Sequence, residues 1–194
     1  MWGRPPAQLM EQFHKMSVDV FDDVLDYDTV RKVYNFTMSS RFHINGWFDR
    51  PNSMQYPMLP CIHSVWTIDD ANNSGLLPGI RKFDTEKKFP QEDPKRIMAN
   101  LAHPGDTYFH HQHGGQSGLL YYVNETWQRE WAGETIFYDD HAEEIIETVE
   151  PRRNRLVHFS PDVPHTMRPT SYMAPKYRLS VTMLFDDEEL TTDE

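Results

Sequence analysis

Cysteine is almost missing from this chain: Cys61 is the only one in 194 residues. No disulfide framework can be built, and a reducing compartment is expected. Long apolar runs are missing too. No stretch approaches the eighteen residues that a helical membrane span requires. Cations are in deficit, with 19 Lys and Arg against 30 Asp and Glu, a formal net charge of −11. That balance argues against a nucleic-acid footprint and for a soluble protein. After Arg4 and Pro5-Pro6 no apolar run follows, so no secretory leader is expected and a cytoplasmic location is. Hydrophobic residues make up only 38% of the chain and mean hydropathy is −0.71.

What the chain does have is aromatic bulk and histidine. Aromatics reach 13%, with eleven Phe and five Trp, so large rings must supply much of the buried area. The length fits one domain over residues 1–194. Three parts are expected. Residues 1–94 hold an N-terminal strand, a helix and a loop-rich insertion; 95–186 form a β core; 187–194 are an acidic tail. Ser17–Phe21 alternates like an edge strand, and Asp26 or Asp28 is placed to cap a helix running to about Ser39. Phe42 to Gly79, rich in Pro, Asn and Gly, reads as a long irregular insertion, and Arg81 to Pro94 as exposed and charged. From Lys95 onward short β runs alternate with turn signals. They are Arg96–Ala102, Thr107–His113, Ser117–Asn124, Glu134–Tyr138, Ile145–Val149, Arg155–Ser160, Pro164–Met167 and Tyr177–Phe185. Eight such strands suit a mainly β fold with flanking helices, a jelly roll or double-stranded β-helix core. No internal repeat or low-complexity block is present.

Chemistry concentrates in His110-His111-Gln112-His113 and in Pro164-His165. On an extended strand His111 and His113 face one side. With His165 from a later strand they make a facial set of three imidazoles, which suits a first-row metal with its opposite positions open. Ten histidines make some clustering unremarkable. This pair, however, lies far from either terminus and just before Gly114-Gly115 and the apolar run Leu119–Val123. His103, His110, His141 and His158 read as non-ligands. Arg178 and Ser180 share a face of an otherwise apolar strand. A buried arginine there needs a partner. Either a surface acid or a bound dicarboxylate would serve, the latter by a charge-assisted fork with help from the Tyr122 hydroxyl.

Taken in order, several segments resemble the iron(II)/2-oxoglutarate-dependent oxygenases of the prolyl 4-hydroxylase-like branch. They are Tyr121-Tyr122-Val123-Asn124 with Trp127, Trp131-Ala132-Gly133-Glu134-Thr135, Arg155–Phe159, Pro164-His165 and Arg178-Leu179-Ser180. The resemblance runs from about Lys95 to Phe185, and more weakly over Asp19–Val33. It implies a double-stranded β-helix using iron(II), 2-oxoglutarate and O2 to hydroxylate a C–H bond of a small-molecule or peptidyl substrate, with neither nucleic acid nor membrane as partner. It also implies that His111 and His165 are iron ligands, and that Arg178, Tyr122 and Ser180 bind 2-oxoglutarate. Asn124, Trp127 and Glu134 would be structural.

The departure is His113, where the family has Asp. Three neutral imidazoles leave the iron at +2, and dianionic 2-oxoglutarate brings the site to zero rather than −1. Iron should be held less electrostatically. A second register stays open, in which His113-Gly114-Gly115 resembles the small-residue motif of related halogenases, with chloride in the vacated position. A cupin-like metal-binding module without catalysis, and a three-His dioxygenase needing no 2-oxoglutarate, stand beside it. Trp47, Phe48, Tyr56 and Trp66 are expected to be core aromatics rather than substrate platforms.

Overall fold

A strand that is buried along nearly its whole length must be covered on both faces. The computed structural model, which describes residues 16–45, 61–106 and 108–186, shows such a strand at Arg178–Asp186 (β10), buried from Arg178 to Phe185. One face of β10, made by Leu179, Val181, Met183 and Phe185, packs with the residues that cover the helices; Leu184 on the other packs between two sheets. Each such aliphatic side chain contributes on the order of 1.5–3 kcal/mol by leaving water.

The remaining strands, in chain order, are Val18–Phe21 (β1), His43–Asn45 (β2), Cys61–Trp66 (β3), Arg96–Ala102 (β4), Gln116–Tyr122 (β5), Thr135–Tyr138 (β6), Ile145–Val149 (β7), Leu156–Phe159 (β8) and His165–Met167 (β9). Seven form one antiparallel sheet in the order β1-β8-β5-β10-β4-β3-β2. The other three form the smaller sheet β7-β6-β9. The two sheets face each other across Met98, Leu120, Tyr122, Phe137, Val157 and Phe159. This is a double-stranded β-helix. The outer face of the large sheet is covered by Tyr27–Ser39 (α1), Ile68–Ser74 (α2) and Leu76–Phe83 (α3).

Local chemistry explains the helices. Asp26 caps α1 by accepting from Thr29 N at 2.8 Å, and Val30 and Val33 are its buried stripe. Thr67 and Asp70 close a reciprocal capping box at the start of α2. Asn154 ties the N-terminal segment to the core: it accepts from Leu25 N at 2.9 Å and donates to Leu25 O at 2.8 Å. Gly118 on β5 is required by packing, because a Cβ there would lie 2.0 Å from Cζ of Phe159.

Three expectations need correction. The stretch Phe42–Gly79 is not one irregular insertion: β2, β3, α2 and the start of α3 lie within it, built on Ile62, Trp66 and the Thr67 cap. The charged stretch Arg81–Pro94 buries Phe89 and Asp84, whose carboxylate accepts from Lys88 N and Phe89 N. The expected strand Thr107–His113 is, among its described residues, a single antiparallel bridge between His111 and His165. The positive φ of Gly114 and Gly115 turns the chain away directly afterwards. Trp47, Phe48 and Tyr56, and the acidic tail, lie outside the described residues. Trp66 is a core residue, as expected.

Candidate metal and cosubstrate centre

His111 and His165 are placed by the same bridge: each backbone N–H donates to the other's carbonyl at 3.0 Å. Directly paired residues put their side chains on one face. His113 follows two residues on and returns to that face. The three rings converge, with centroids 4.6 Å apart for His111–His165 and 5.0 Å for each pair involving His113. One nitrogen of each lies within 4.8 Å of the others, a spread that could hold one metal ion.

Two of the rings are oriented by the backbone. Nδ1 of His111 lies 3.1 Å from Phe109 O, and Nδ1 of His165 lies 2.9 Å from Val163 O. A carbonyl can only accept, so Nδ1 carries the proton and Nε2 keeps its lone pair. Burial pushes all three basicities down: His165 well below the ordinary imidazole value, His111 in the same direction, His113 to about 3. Neighbouring imidazoles add to this for His165 and His113. The rings are therefore neutral near pH 7, the form that binds metal. Phe159 and Phe137 pack against His165 at 4.8 and 5.7 Å and hold it from behind.

A second centre forms around Arg178, which is 4% exposed. Its Nε donates to Gly133 O at 2.7 Å, Nη2 to Thr135 Oγ1 at 2.9 Å and Nη1 to Ser180 Oγ at 3.4 Å. The guanidinium lies over the Tyr122 ring, 5.1 Å from its centroid, and the Tyr122 hydroxyl shares a 2.7 Å hydrogen bond with Thr135 Oγ1. Burial lowers the arginine's basicity and raises the tyrosine's. Arginine still stays charged at any working pH. Its hydrogen-bond partners are all neutral, and none of the ion pairs among the described residues includes it. Glu134 pairs instead with Arg168 at 3.4 Å. Three of five N–H groups are donated within the protein, so the fork keeps capacity for an anion.

Asn124 sets the strand that carries this arginine, donating to Tyr177 O at 2.8 Å and accepting from Leu179 N at 2.7 Å. Trp127 Nε1 donates to Ala132 O at 2.8 Å and shapes the turn before Gly133. Both therefore have the structural roles expected of them. Of the six residues singled out in the sequence, His111, His113 and His165 form one cluster, and Arg178, Tyr122 and Ser180 another. Three of the histidines read as non-ligands pack elsewhere: His110 on Tyr138, His158 on Phe89 and His103 against Tyr177. Thr135 and the Gly133 carbonyl were missed as direct contacts of the arginine. Period-two counting from Glu134 would have turned Thr135 inward.

The 2OG-Fe(II) oxygenase superfamily model matches residues 99–186. No curated protein matches the sequence. Solved structures share the fold. A prolyl hydroxylase from Trichoplax adhaerens, in complex with a hypoxia inducible factor oxygen degradation domain peptide fragment, superposes with a TM-score of 0.66 at 16% identity, covering 94% of this chain and 90% of its own. A Pseudomonas putida prolyl-4-hydroxylase gives 0.60 at 20% identity, with 93% and 98% covered. A viral collagen prolyl hydroxylase from Paramecium Bursaria Chlorella virus-1, in complex with 2OG, gives 0.60 at 11%, with 88% and 96% covered. The fold is thus one that these prolyl hydroxylases share. The match to the 2OG-Fe(II) oxygenase superfamily model covers the β-helix segment, residues 99–186. That match supports an oxidoreductase of the dioxygenase class using iron(II), 2-oxoglutarate and O2, and the three-His cluster fits iron binding. Among the described residues no helix is long and apolar enough to cross a membrane.

Proposed function

We propose that the protein hydroxylates a C–H bond of a small-molecule or peptidyl substrate, with iron(II) held by His111, His113 and His165. Arg178, Tyr122 and Ser180 then receive the distal carboxylate of 2-oxoglutarate. The observation that carries this reading is the buried Arg178 fork, held only by neutral groups inside a barrel that also gathers three neutral imidazoles. When bound, the iron and 2-oxoglutarate supply the oxidising chemistry: one oxygen atom of O2 ends in succinate and the other in the hydroxylated product. The chain's own residues position the reactants. Arg178 neutralises a carboxylate in a dry pocket, Thr135 and Tyr122 fix the guanidinium plane, and Phe159 and Phe137 close one side to water.

The bridge at His111 supports its role as a ligand alongside His113, and so favours the three-His register over the halogenase register. A structural zinc site would need a fourth ligand, and among the described residues the cluster has three. The prolyl hydroxylase neighbours lend weight to hydroxylation and to a peptidyl substrate.

Anaerobic titration of the iron(II)-loaded protein with 2-oxoglutarate tests the assignment. A visible charge-transfer band should saturate for the wild type. In Arg178→Leu the same band should need about 100-fold more 2-oxoglutarate, as expected for loss of a buried charged contact. Its iron content should stay the same. An unchanged titration in Arg178→Leu would remove Arg178 from the cosubstrate site.

A further inference from the structure

Strand register lines up the side chains of one sheet face in rows that run across the strands. On the inner face of the large sheet one row passes from Tyr122 through Ser180 and Asn100 to His63. The next passes from Leu120 through Thr182 and Met98 to Val65. The first row begins at the proposed cosubstrate pocket. The second ends at Val65, which is 65% exposed, so the face opens to solvent at β3.

Thr182 lies on β10 between Ser180 and Leu184, and Leu184 packs in the same cluster as Phe159, the ring that backs His165. It therefore sits between the proposed cosubstrate pocket and the packing that supports the imidazoles. Asn100 Nδ2 donates to Thr182 Oγ1 at 3.1 Å and to Met98 O at 3.4 Å. The Met98 carbonyl can only accept, which settles which end of the Asn100 amide is nitrogen. Two groups are left over. Asn100 Oδ1 has no donor, and the Thr182 hydroxyl proton has no acceptor, among the described residues. One acceptor beside one donor is the complement of an N–H lying next to a C=O. A residue of extended peptide presents that pair, and so does a primary carboxamide.

We infer that Asn100 and Thr182 recognise a side-by-side amide N–H and C=O of the substrate, an inference that rests on the proposed oxygenase reading. Asn100 Oδ1 accepts the N–H, and the Thr182 hydroxyl donates to the carbonyl. The bound group then lies over the mouth of the pocket, next to the apolar patch of Met98 and Val65.

The test uses the full chain loaded with zinc(II) in place of iron, plus 2-oxoglutarate, observed by saturation-transfer NMR. One arm offers N-acetylated tripeptide N-methylamides lacking Asn and Gln; the other offers free asparagine and glutamine. Binding in the first arm assigns the amide to peptide backbone, and binding in the second to a carboxamide. In whichever arm binds, Asn100→Leu should weaken binding about tenfold, the loss of one hydrogen bond of roughly 1.4 kcal/mol. Asn100→Asp, which keeps an acceptor oxygen, should recover part of it, and Thr182→Val should act like Asn100→Leu. The inference is overturned if neither arm binds, or if the Leu and Val variants bind like the wild type. 2-Oxoglutarate is followed in the same samples. If it fails to bind the wild type, the oxygenase reading falls as well; if it binds throughout while amide binding ignores both residues, only this inference falls.

Discussion

The imidazole cluster and the arginine cluster are built on different principles. In the arginine cluster the Arg178 guanidinium is fastened by Gly133, Thr135 and Ser180 and capped by the Tyr122 ring, so its charge is in place before any ligand arrives. In the imidazole cluster two rings are steered by backbone carbonyls, while no hydrogen bond to either ring nitrogen of His113 is found among the described residues. The arginine cluster is complete as protein. The imidazole cluster is a set of lone pairs that a cation would finish. On the proposed reading, the fixed cation and the neutral donors together orient a dianion between them.

The sharpest way to break this contrast is at the imidazole cluster. Changes in groups behind a metal ligand already cost about 10–100-fold in affinity. His165→Ala should therefore lower iron affinity by at least about 100-fold, read as metal retained after dialysis, whereas Arg178→Leu should retain it. Equal loss in both variants would mean that the two clusters are not separable. Next comes His113→Asp, which adds the negative charge that the family has at this position. Iron should be held more tightly than in the wild type and 2-oxoglutarate somewhat less, by competition titration with a chelator. A drop in iron affinity would argue that His113 is not a ligand.

Smaller effects come from the packing that joins the clusters. Gly118→Ala drives a methyl into the Phe159 ring and should cost about 1–3 kcal/mol, visible as a lowered urea midpoint. Smallest is the effect of pH on the metal-free protein. The folded-state basicities of His111, His113 and His165 are depressed, so between pH 6.5 and about 3 the unfolded chain binds protons that the folded chain refuses. Stability is full above pH 6.5 and declines as pH falls through that window, and His165→Phe should flatten the decline. Urea melts at pH 7.5, 6 and 5 would show it.

The parts legible from sequence are those whose environment is uniform. β4 was bounded at Arg96–Ala102 and β7 at Ile145–Val149, and β10 was placed within one residue at either end, because turn residues frame clear β runs. That His111 pairs in direction with His113, and Arg178 with Ser180, was legible because a period of two puts residues i and i+2 on one face. β2, β3 and α2 were obscured because Pro, Asn and Gly dilute the apolar period there, and their apolar contacts are with distant segments such as β4. The strand expected through His111 failed because a single bridge, followed by two glycines at positive φ, is all that side of the barrel needs. Thr135 escaped notice because its role depends on an arginine 43 residues away.

β10 fills the middle of the large sheet although it comes last of the ten strands in chain order. β4 and β5 are joined only through β10, so the large sheet closes only when residues 178–186 lie between them. Completion of the sheet and placement of Arg178 are then one event. A nascent chain stopped short of that strand would be left with two sticky half-sheets, and a cell that clears them would never meet a folded form lacking the arginine.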